Sequence, residues 1–353
     1  MMINREFASS IKRLMPNSQR KTDLDRPVSI WREKDRLRGY PETTMVAIFK
    51  TTGCSWYRFS SCSMCGYFND VSSEIRSENL KRQIDIVSDS LEDVKTLKIF
   101  TSGSFLDPQE FPIEARDYFF RKISGKVEKL LVESRTEYIT ESNIAYLKDF
   151  GIPIRIAIGL ESANDQIMRN SINKGSTFAK YVKAAEAVRK MGYELRTYLL
   201  FKPLFLSEED AIADMIDSVR KSAPYSTDVS VNPMNIQKNT MVEYQWKKGL
   251  YRLPRLWSLA RILLESKDFG TQVVSYPTGG NKERGIHNES PDPNLLQLIY
   301  DGSLNQDFKE LEDYYKSADK KEYFASLAAE RINLSQPDFE RLISRTSNAS
   351  VLI

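Results

Sequence analysis

The stretch that decides the fold is GCSWYRFSSCSMCGYFND, residues 53–70. It contains Cys54, Cys62 and Cys65, which are all the cysteines of the 353-residue chain. An odd and clustered set of thiols fits no disulfide framework, so the pattern favours thiolates held for metal binding or catalysis in a reducing compartment. The stretch directly follows MVAIFKT at 45–51, a run typical of a buried strand.

Six short runs rich in β-branched and aromatic residues predict six strands. They lie at 45–51, 96–102, 128–134, 154–162, 193–201 and 227–233. Helical patterns, with apolar residues three and four positions apart, lie between several of these runs. Strands and helices that alternate without hairpin signals predict an α/β fold, a partial (β/α)6 barrel of the TIM type. A doubly wound open sheet is the alternative.

The patterns divide the chain into three parts. Residues 1–44 are predicted to form a basic N-terminal arm, because residues 1–38 contain ten Lys or Arg and five Asp or Glu. Residues 45–275 form the barrel. Residues 276–353 begin with a turn-rich polar loop and continue with helical patterns at 295–332 and 339–343.

The composition excludes several classes of protein. Hydrophobic residues at 41% and charged residues at 28% are typical of a globular chain with a sizeable core. No run approaches the roughly 18 apolar residues of a membrane span, and the first residues lack a hydrophobic signal core. We therefore expect a cytoplasmic protein without a membrane partner. The net charge of +3 is too small to indicate nucleic-acid binding by itself.

A second basic segment follows the predicted strands. Residues 238–261 contain six Lys or Arg and one Glu, interleaved with Tyr244, Trp246, Tyr251 and Trp257. Contact with RNA requires cations for phosphates and flat rings for bases. An amphipathic helix with aromatic core residues and a solvated basic face is the alternative, and the sequence favours neither.

The spacing of the cysteines indicates what they can bind. Three thiolates can hold three irons of a [4Fe–4S] cluster and leave the fourth iron open for an outside ligand. A closed structural zinc site needs four ligands, and the single histidine, His287, is distant in sequence. In a parallel barrel the loop after a strand lies at the carboxyl mouth, where active sites are built. We favour the cluster, with zinc or unligated core cysteines as alternatives.

This arrangement resembles the radical S-adenosylmethionine superfamily, and the long first cysteine interval is similar to its branch with the elongator catalytic subunit. The resemblance implies a [4Fe–4S] cluster on the three cysteines, bound S-adenosylmethionine and an external one-electron reductant. It places cofactor contacts at Gly103, Ser104, Glu133, Arg135, Glu161, Ser162 and Arg196. Glu161 and Arg196 are also candidates for a catalytic role. The alternatives are solvated loop carboxylates for Glu133 and Glu161, and an ordinary ion pair for Arg196.

Flanking sequence is closer still to the archaeosine-forming radical enzymes that archaea use on transfer RNA. The matching segments are Thr51 to Trp56, Cys62 to Tyr67 and Gly279 to Asn288, together with the positions Trp31, Glu33, Asp35 and Arg36. This resemblance implies a lyase that cleaves the carbon–nitrogen bond of the lysine adduct of 7-cyano-7-deazaguanosine in the tRNA D-loop. It also implies a partner protein, the lysine-transferring archaeosine synthase. The alternatives are another radical enzyme of the elongator-like branch, which modifies RNA or protein, and a non-catalytic iron–sulfur or zinc scaffold that binds RNA.

Overall fold

The computed structural model describes residues 4–16 and 23–335. Its centre is an eight-stranded sheet in which every strand lies beside its neighbours in sequence. The strands are β1 (Ser29–Asp35), β2 (Glu42–Ile48), β3 (Thr96–Phe100), β4 (Lys129–Glu133), β5 (Ile154–Glu161), β6 (Glu194–Phe201), β7 (Asp228–Pro233) and β8 (Gln272–Val274). β1 is antiparallel to β2, and β2 to β8 are parallel. The curled sheet forms a half-barrel, as predicted, and its sequential strand order is not that of a doubly wound open sheet.

Helices connect the strands and cover the outer face of the sheet. They are α1 (Arg5–Arg13), α2 (Ser55–Phe59), α3 (Ser77–Asp89), α4 (Ile113–Ile123), α5 (Glu141–Ala145), α6 (Asp165–Ile167), α7 (Phe178–Lys190), α8 (Glu208–Ser222), α9 (Met241–Lys247), α10 (Leu256–Ser266), α11 (Pro293–Asn305), α12 (Lys309–Ser317) and α13 (Lys321–Ser335). In α8, the Ser207 hydroxyl accepts from the Asp210 amide, and acidic residues fill the first turn, as the helix dipole favours. Within residues 4–16 and 23–335, every helix is too short or too polar to span a bilayer.

All six predicted strands are present, as β2 to β7, and two further strands were not predicted. β1 has the sequence SIWREKD, whose charges hide any strand period, and such charges are common on exposed sheet edges. β8 is only three residues long, too short to show a period. The predicted arm therefore contributes the edge strand of the sheet, and β2 begins before the predicted boundary at residue 44.

Aromatic packing supports the strand from which the cysteine loop, residues 53–70, departs. Phe49, just after β2, lies against Phe111 and Phe119 with ring centroids 5.3 and 6.1 Å apart. Phe105 joins the same group, 4.8 Å from Phe111. All four rings are fully buried, and tilted or edge-to-face contacts of this kind add to the stabilisation from burial. The start of the loop is thus held by a rigid apolar base.

The C-terminal helices are tied to the barrel by buried charges. The Lys202 ammonium, at the end of β6, lies 3.0 Å from Glu208 of α8 and 2.8 Å from Glu330 of α13. The Tyr323 hydroxyl of α13 also lies 3.1 Å from that of Ser258. The helical region predicted at 295–332 is therefore present as α11 to α13, whereas the helix predicted at 339–343 lies outside the described residues.

A network of buried ion pairs closes the amino end of the sheet. Arg196, near the start of β6, is 1% exposed and lies 2.7 Å from both Asp35 and Asp228. Lys98 lies 2.8 Å from Asp35 as well. Burial opposes ionisation of Asp35, but the Arg196 and Lys98 charges hold its pKa well below the usual range. Both edges of the Arg196 guanidinium are occupied here, away from the cysteines, which agrees with the ion-pair alternative.

Replacing Arg196 with Met tests this structural role. The change leaves two buried carboxylates without their shared partner, so we expect the free energy of unfolding to fall by about 3–5 kcal/mol. Arg26→Met is the control because its guanidinium is exposed beside Asp23, and exposed pairs contribute at most about 1 kcal/mol. Urea unfolding of both variants makes the comparison, and equal losses would contradict the network.

Candidate cluster and cofactor site

The carboxyl ends of the parallel strands gather the predicted site residues at one edge of the sheet, here called the mouth. The cysteine loop follows β2, and Gly103 follows β3. Glu133 is the last residue of β4, and Glu161 is the last residue of β5. In parallel barrels this edge is where loops converge on a substrate, so segments far apart in sequence can act together.

The three cysteines line one space in the mouth. Cys54, Cys62 and Cys65 all line one small cavity. Its other lining residues are Trp56, Tyr57, Ser61, Phe68 and Ser102. Burial raises the pKa of all three thiols, that of Cys62 to about 11. Free thiols here are therefore neutral at pH 7, and a bound metal group would be needed to hold them as thiolates.

The donor set fits an iron–sulfur cluster better than a single ion. Among residues 4–16 and 23–335, no three His, Cys, Asp or Glu side chains converge closely enough to hold one metal ion. A structural zinc site needs four ligands around a single centre. In a [4Fe–4S] cluster each cysteine binds its own iron, so three cysteines spread around one cavity suit it. The spread of the cysteines therefore supports the cluster over zinc.

The cysteine loop is fixed by the π-helical turn Met168–Ile172 and the residues that follow it. Ser63 donates through its hydroxyl to the Ser171 carbonyl at 2.7 Å and through its amide to the Ile172 carbonyl at 2.8 Å. The Trp56 indole donates to the Asn173 carbonyl at 2.8 Å. Asn173 has a left-handed φ of 57°, which asparagine tolerates well. These contacts hold the cysteine loop against residues 171–173.

The turn after β3 touches the cysteine loop directly. A Cβ at Gly103 would lie 2.7 Å from the Cys54 Cβ and 2.8 Å from its Cα. Glu110, which the sequence analysis missed, joins the same two segments. Its carboxylate accepts from the Thr51 hydroxyl at 2.9 Å and from the Ser104 amide at 2.7 Å. The sequence carries no signal for this role, because an acidic residue in a turn-rich stretch is typical of a solvated loop.

A β-bulge at the end of β5 directs Glu161 into the mouth. The β5–β6 register shifts between Gly159 and Glu161, and Glu161 has a φ of 67°. Its carboxylate lies 2.7 Å from the Lys174 ammonium. A Cβ at Gly159 would lie 2.6 Å from the Glu161 Oε1 atom and 2.7 Å from the Lys174 Nζ atom, so the pair needs a glycine at this position. Although burial opposes the charge on Lys174, Glu161 raises the pKa of this lysine, a site residue that the sequence analysis missed.

Glu133 and Arg135 contribute the remaining polar groups of the mouth. Burial raises the pKa of Glu133 to about 8, although the Lys98 ammonium opposes this shift. The Arg135 amide donates to the Ser104 hydroxyl at 2.9 Å. Its guanidinium lies 3.9 Å from the Cys54 sulfur and 5.6 Å from the centre of the Trp56 ring. An arginine in contact with the cysteine loop can hold an anionic group beside the cavity.

Comparison with known proteins identifies the family. Residues 48–216 match the model of the radical SAM superfamily. A protein named archaeosine synthase subunit beta from Methanosarcina acetivorans is 42% identical over 74% of this chain and 78% of its own. A second protein of that name, from Thermococcus kodakarensis, is 37% identical over 74% of this chain and 84% of its own. This chain belongs to the archaeosine synthase subunit beta family.

Among solved structures, the queuine lyase from Clostridium spiroforme bound to SAM and queuine is 20% identical, with a TM-score of 0.44. The match covers 62% of this chain and 89% of the other. Membership in the radical SAM superfamily implies S-adenosylmethionine and a [4Fe–4S] cluster as cofactors. In this chain, the three cysteines that line the cavity at the mouth are the donor set suited to such a cluster.

Two residues considered in the sequence analysis form hydrogen bonds outside the cysteine loop. The Ser162 hydroxyl donates to Asp214 of α8 at 2.8 Å, so it is engaged behind the sheet. The His287 ring bonds locally to the Gly285 carbonyl at 2.8 Å. Within the described part of the chain, neither side chain forms a hydrogen bond to the cysteine loop.

The second basic segment, residues 238–261, has features of both an RNA-contacting surface and an amphipathic helix with aromatic core residues. Tyr251 is buried and donates to the Lys202 carbonyl at 2.7 Å, and Trp257 stacks on Tyr314. These rings support the amphipathic-helix alternative. Lys238 and Lys248 are exposed, so the first part of the segment keeps a basic surface.

Substituting Gly103 with Ala tests the contact between its turn and the cysteine loop. The added methyl overlaps Cys54, and overpacking of this kind costs about 1–3 kcal/mol. We expect the iron content after anaerobic reconstitution to fall severalfold. Gly302→Ala is the matched control because its Cβ meets the Phe308 ring at 2.7 Å, away from the cysteines. Full iron content in the Gly103 variant would contradict the assigned contact.

Asp214→Asn tests the buried carboxyl behind Ser162. Burial raises the pKa of Asp214 to about 6, so the folded state favours its protonated form. Wild-type stability should then decline as the pH rises from about 4 to about 6. The variant avoids this loss and should melt higher at pH 8, by on the order of 1–3 °C, but not at pH 4. Asp89→Asn, exposed at the end of α3, is the control, and parallel pH profiles for wild type and Asp214→Asn would refute the prediction.

Proposed function

We propose that this chain is a radical S-adenosylmethionine lyase of tRNA modification. It cleaves the carbon–nitrogen bond that joins lysine to the amidine of modified 7-deazaguanosine in the D-loop, and the tRNA keeps archaeosine. The observation that carries the proposal is the 42% identity to a protein named archaeosine synthase subunit beta over most of both chains. The cysteine-lined cavity at the mouth supports it, since radical chemistry needs a cluster with an open iron.

Each part of the mouth has a role in this proposal. Cys54, Cys62 and Cys65 hold the cluster, which with S-adenosylmethionine supplies a carbon-centred radical for hydrogen-atom abstraction. The cofactor is surrounded by residues at or just after the ends of β3, β4 and β5, namely Gly103, Ser104, Glu133, Arg135 and Glu161. Ser162 and Arg196 are left out because both are engaged elsewhere.

The mouth also offers groups that suit the lysyl end of the substrate. A lysyl residue attached through its side chain presents a free ammonium and a free carboxylate. The Lys174 ammonium can pair with the carboxylate, and Glu133 or Glu161 can accept from the ammonium. The lysyl carbon next to the amidine nitrogen would lose a hydrogen atom to the radical and then one electron, which the oxidised cluster could accept, and this would leave a carbon–nitrogen double bond at that carbon. Attack by the free α-amine of the lysyl group would then expel the amidine, which takes up the proton and stays on the tRNA as archaeosine, while the lysyl group leaves as a cyclic imine.

The relatives' names also suggest how the chain works with others. A subunit beta requires a partner subunit, and here we propose the lysine-transferring archaeosine synthase, which makes the adduct that this chain cleaves. The tRNA that carries the adduct is the shared substrate, and an external one-electron donor reduces the cluster.

The decisive experiment is anaerobic turnover of the reconstituted protein with S-adenosylmethionine, dithionite and tRNA that carries the lysine adduct. We expect archaeosine and 5′-deoxyadenosine to form together, as measured by nucleoside mass analysis. Deuterium on the lysyl carbon next to the amidine should appear in the 5′-deoxyadenosine. Cys62→Ala, which lacks one cluster ligand, should form neither product.

The remaining outcomes separate the alternatives. Formation of 5′-deoxyadenosine with an intact adduct would reject the lyase and favour another radical enzyme of the elongator-like branch. Absence of any S-adenosylmethionine cleavage in fully loaded protein would favour the non-catalytic scaffold. Archaeosine without label transfer would place hydrogen abstraction at a different carbon.

A further inference from the structure

We propose that α1 and residues 238–248 form one basic surface beside the cysteine loop, on which the tRNA sugar–phosphate backbone docks. This surface, here called the basic rim, consists of Arg5, Arg13, Arg58, Lys238 and Lys248. The inference rests on the proposed function because it takes tRNA as the partner. It goes further by assigning the docking surface and the residues that form it.

The first step of the argument is the position of α1. Its apolar face is fully turned inward, with Phe7 at 0% exposure and Ile11 at 2%. These side chains belong to a buried apolar group, here called the mouth cluster, which also contains Ile172, Met241 and Val242. The helix therefore packs into the same apolar group as α9 and the π-helical turn that holds the cysteine loop. Its basic residues are left on the outward face.

The next step is the direct contact of α1 with the cysteine loop. The Lys12 ammonium donates to the Tyr57 carbonyl at 2.6 Å and lies 4.9 Å from the centre of the Tyr57 ring. Tyr57 in turn stacks on Phe68 of the same loop at 5.3 Å. The N-terminal helix is thus joined to the wall of the cysteine cavity, because Tyr57 and Phe68 both line it.

Residues 238–248 contact the same loop from another side. The Asn69 side chain donates to the Lys238 carbonyl at 3.0 Å. The Val242 amide donates to the Ser63 carbonyl at 3.3 Å. The two basic segments, more than two hundred positions apart in sequence, therefore both border residues 53–70. A polyanion lying across them would pass over the entrance to the cavity.

The charge of the rim is available for a partner. Arg5, Arg13, Arg58, Lys238 and Lys248 are exposed, and in the described residues none of them forms an ion pair with a carboxylate. Acidic residues are few in these segments: Glu6 lies on α1, and Glu243 is buried beside Arg284. Lys248 lies 5.9 Å from the centre of the Tyr244 ring, but its charge, like the others, has no carboxylate beside it among the described residues. Cations without carboxylate partners are suited to neutralise phosphates and release their counterions.

The same loop exposes two aromatic rings. Phe59 is 69% exposed and Tyr67 is 48% exposed, both within the cysteine loop. Exposed rings between cations are the usual platform for unstacked bases in single-stranded or looped RNA. Charge around the entrance and rings on the loop together favour a nucleic acid over an acidic protein as the partner.

The test compares two triple variants of the reconstituted protein. The rim variant is Arg13→Gln, Lys238→Gln, Lys248→Gln. The control is Lys95→Gln, Lys148→Gln, Arg189→Gln, which removes the same charge from exposed positions that precede β3, β5 and β6, at the opposite edge of the sheet. Binding of tRNA is followed by fluorescence anisotropy as the salt concentration is varied.

We expect the rim variant to bind tRNA at least about tenfold more weakly at about 100 mM salt, with a salt slope shallower by about 2 to 3. The control should stay within about twofold of wild type. Iron content and tRNA-independent formation of 5′-deoxyadenosine should be unchanged in both variants, since none of the six residues holds a cofactor.

Other outcomes distinguish failure of the rim from failure of the proposed function. Equal tRNA binding by the rim and control variants would overturn the rim, even if the wild type makes archaeosine. A rim variant that binds tRNA normally but no longer binds the partner subunit would also overturn it, and would assign the surface to protein. Rim-dependent tRNA binding by a wild type that leaves the lysine adduct intact would support the rim and reject the lyase.

Discussion

Parallel pairing of the strands is the constraint on which the rest of the structure depends. Because β2 to β6 run in the same direction, their carboxyl ends meet at one edge and bring Cys54, Gly103, Glu133 and Glu161 together from four separate segments. The phenylalanine group around Phe49 holds the first of these ends in place. The cysteine loop is then held by hydrogen bonds to residues 171–173, so the fold supports the geometry of the site. A cluster site requires supporting contacts of this kind around its ligands.

The two ends of the half-barrel differ in how fully their buried charged groups are paired. At the amino end, Arg196 pairs with Asp35 and Asp228, and the Arg196 and Lys98 charges hold the pKa of Asp35 well below its usual range. At the mouth, burial raises the pKa of Glu133 to about 8, although the Lys98 ammonium opposes this shift. Groups with this kind of environment cluster at functional sites. The amino end therefore serves stability, whereas the mouth keeps polar groups available for ligands.

The N-terminal helix and residues 238–248 link the cofactor site to the surface of the molecule. The mouth cluster, which includes Phe7, Ile11 and Ile172, packs both segments against the support of the cysteine loop. Family membership and this packing point in the same direction, since a radical enzyme that acts on tRNA needs a basic surface beside its cavity. The modest net charge of +3 conceals this surface because acidic residues elsewhere in the chain offset it.

The sequence by itself determined the features that depend on local pattern. Strand and helix periods predicted β2 to β7, and the cysteine spacing indicated a cluster, because both signals lie within short windows of the chain. The tertiary structure alone decided which distant residues meet. Glu110 accepts hydrogen bonds from both Thr51 and Ser104. At the mouth, Lys174 pairs with Glu161. At the amino end of the sheet, Arg196 forms ion pairs with two carboxylates. The edge strand β1 was hidden because its charges mask the period of two. No local pattern could reveal these contacts, since they depend on the curvature and register of the sheet, which only the packed chain specifies.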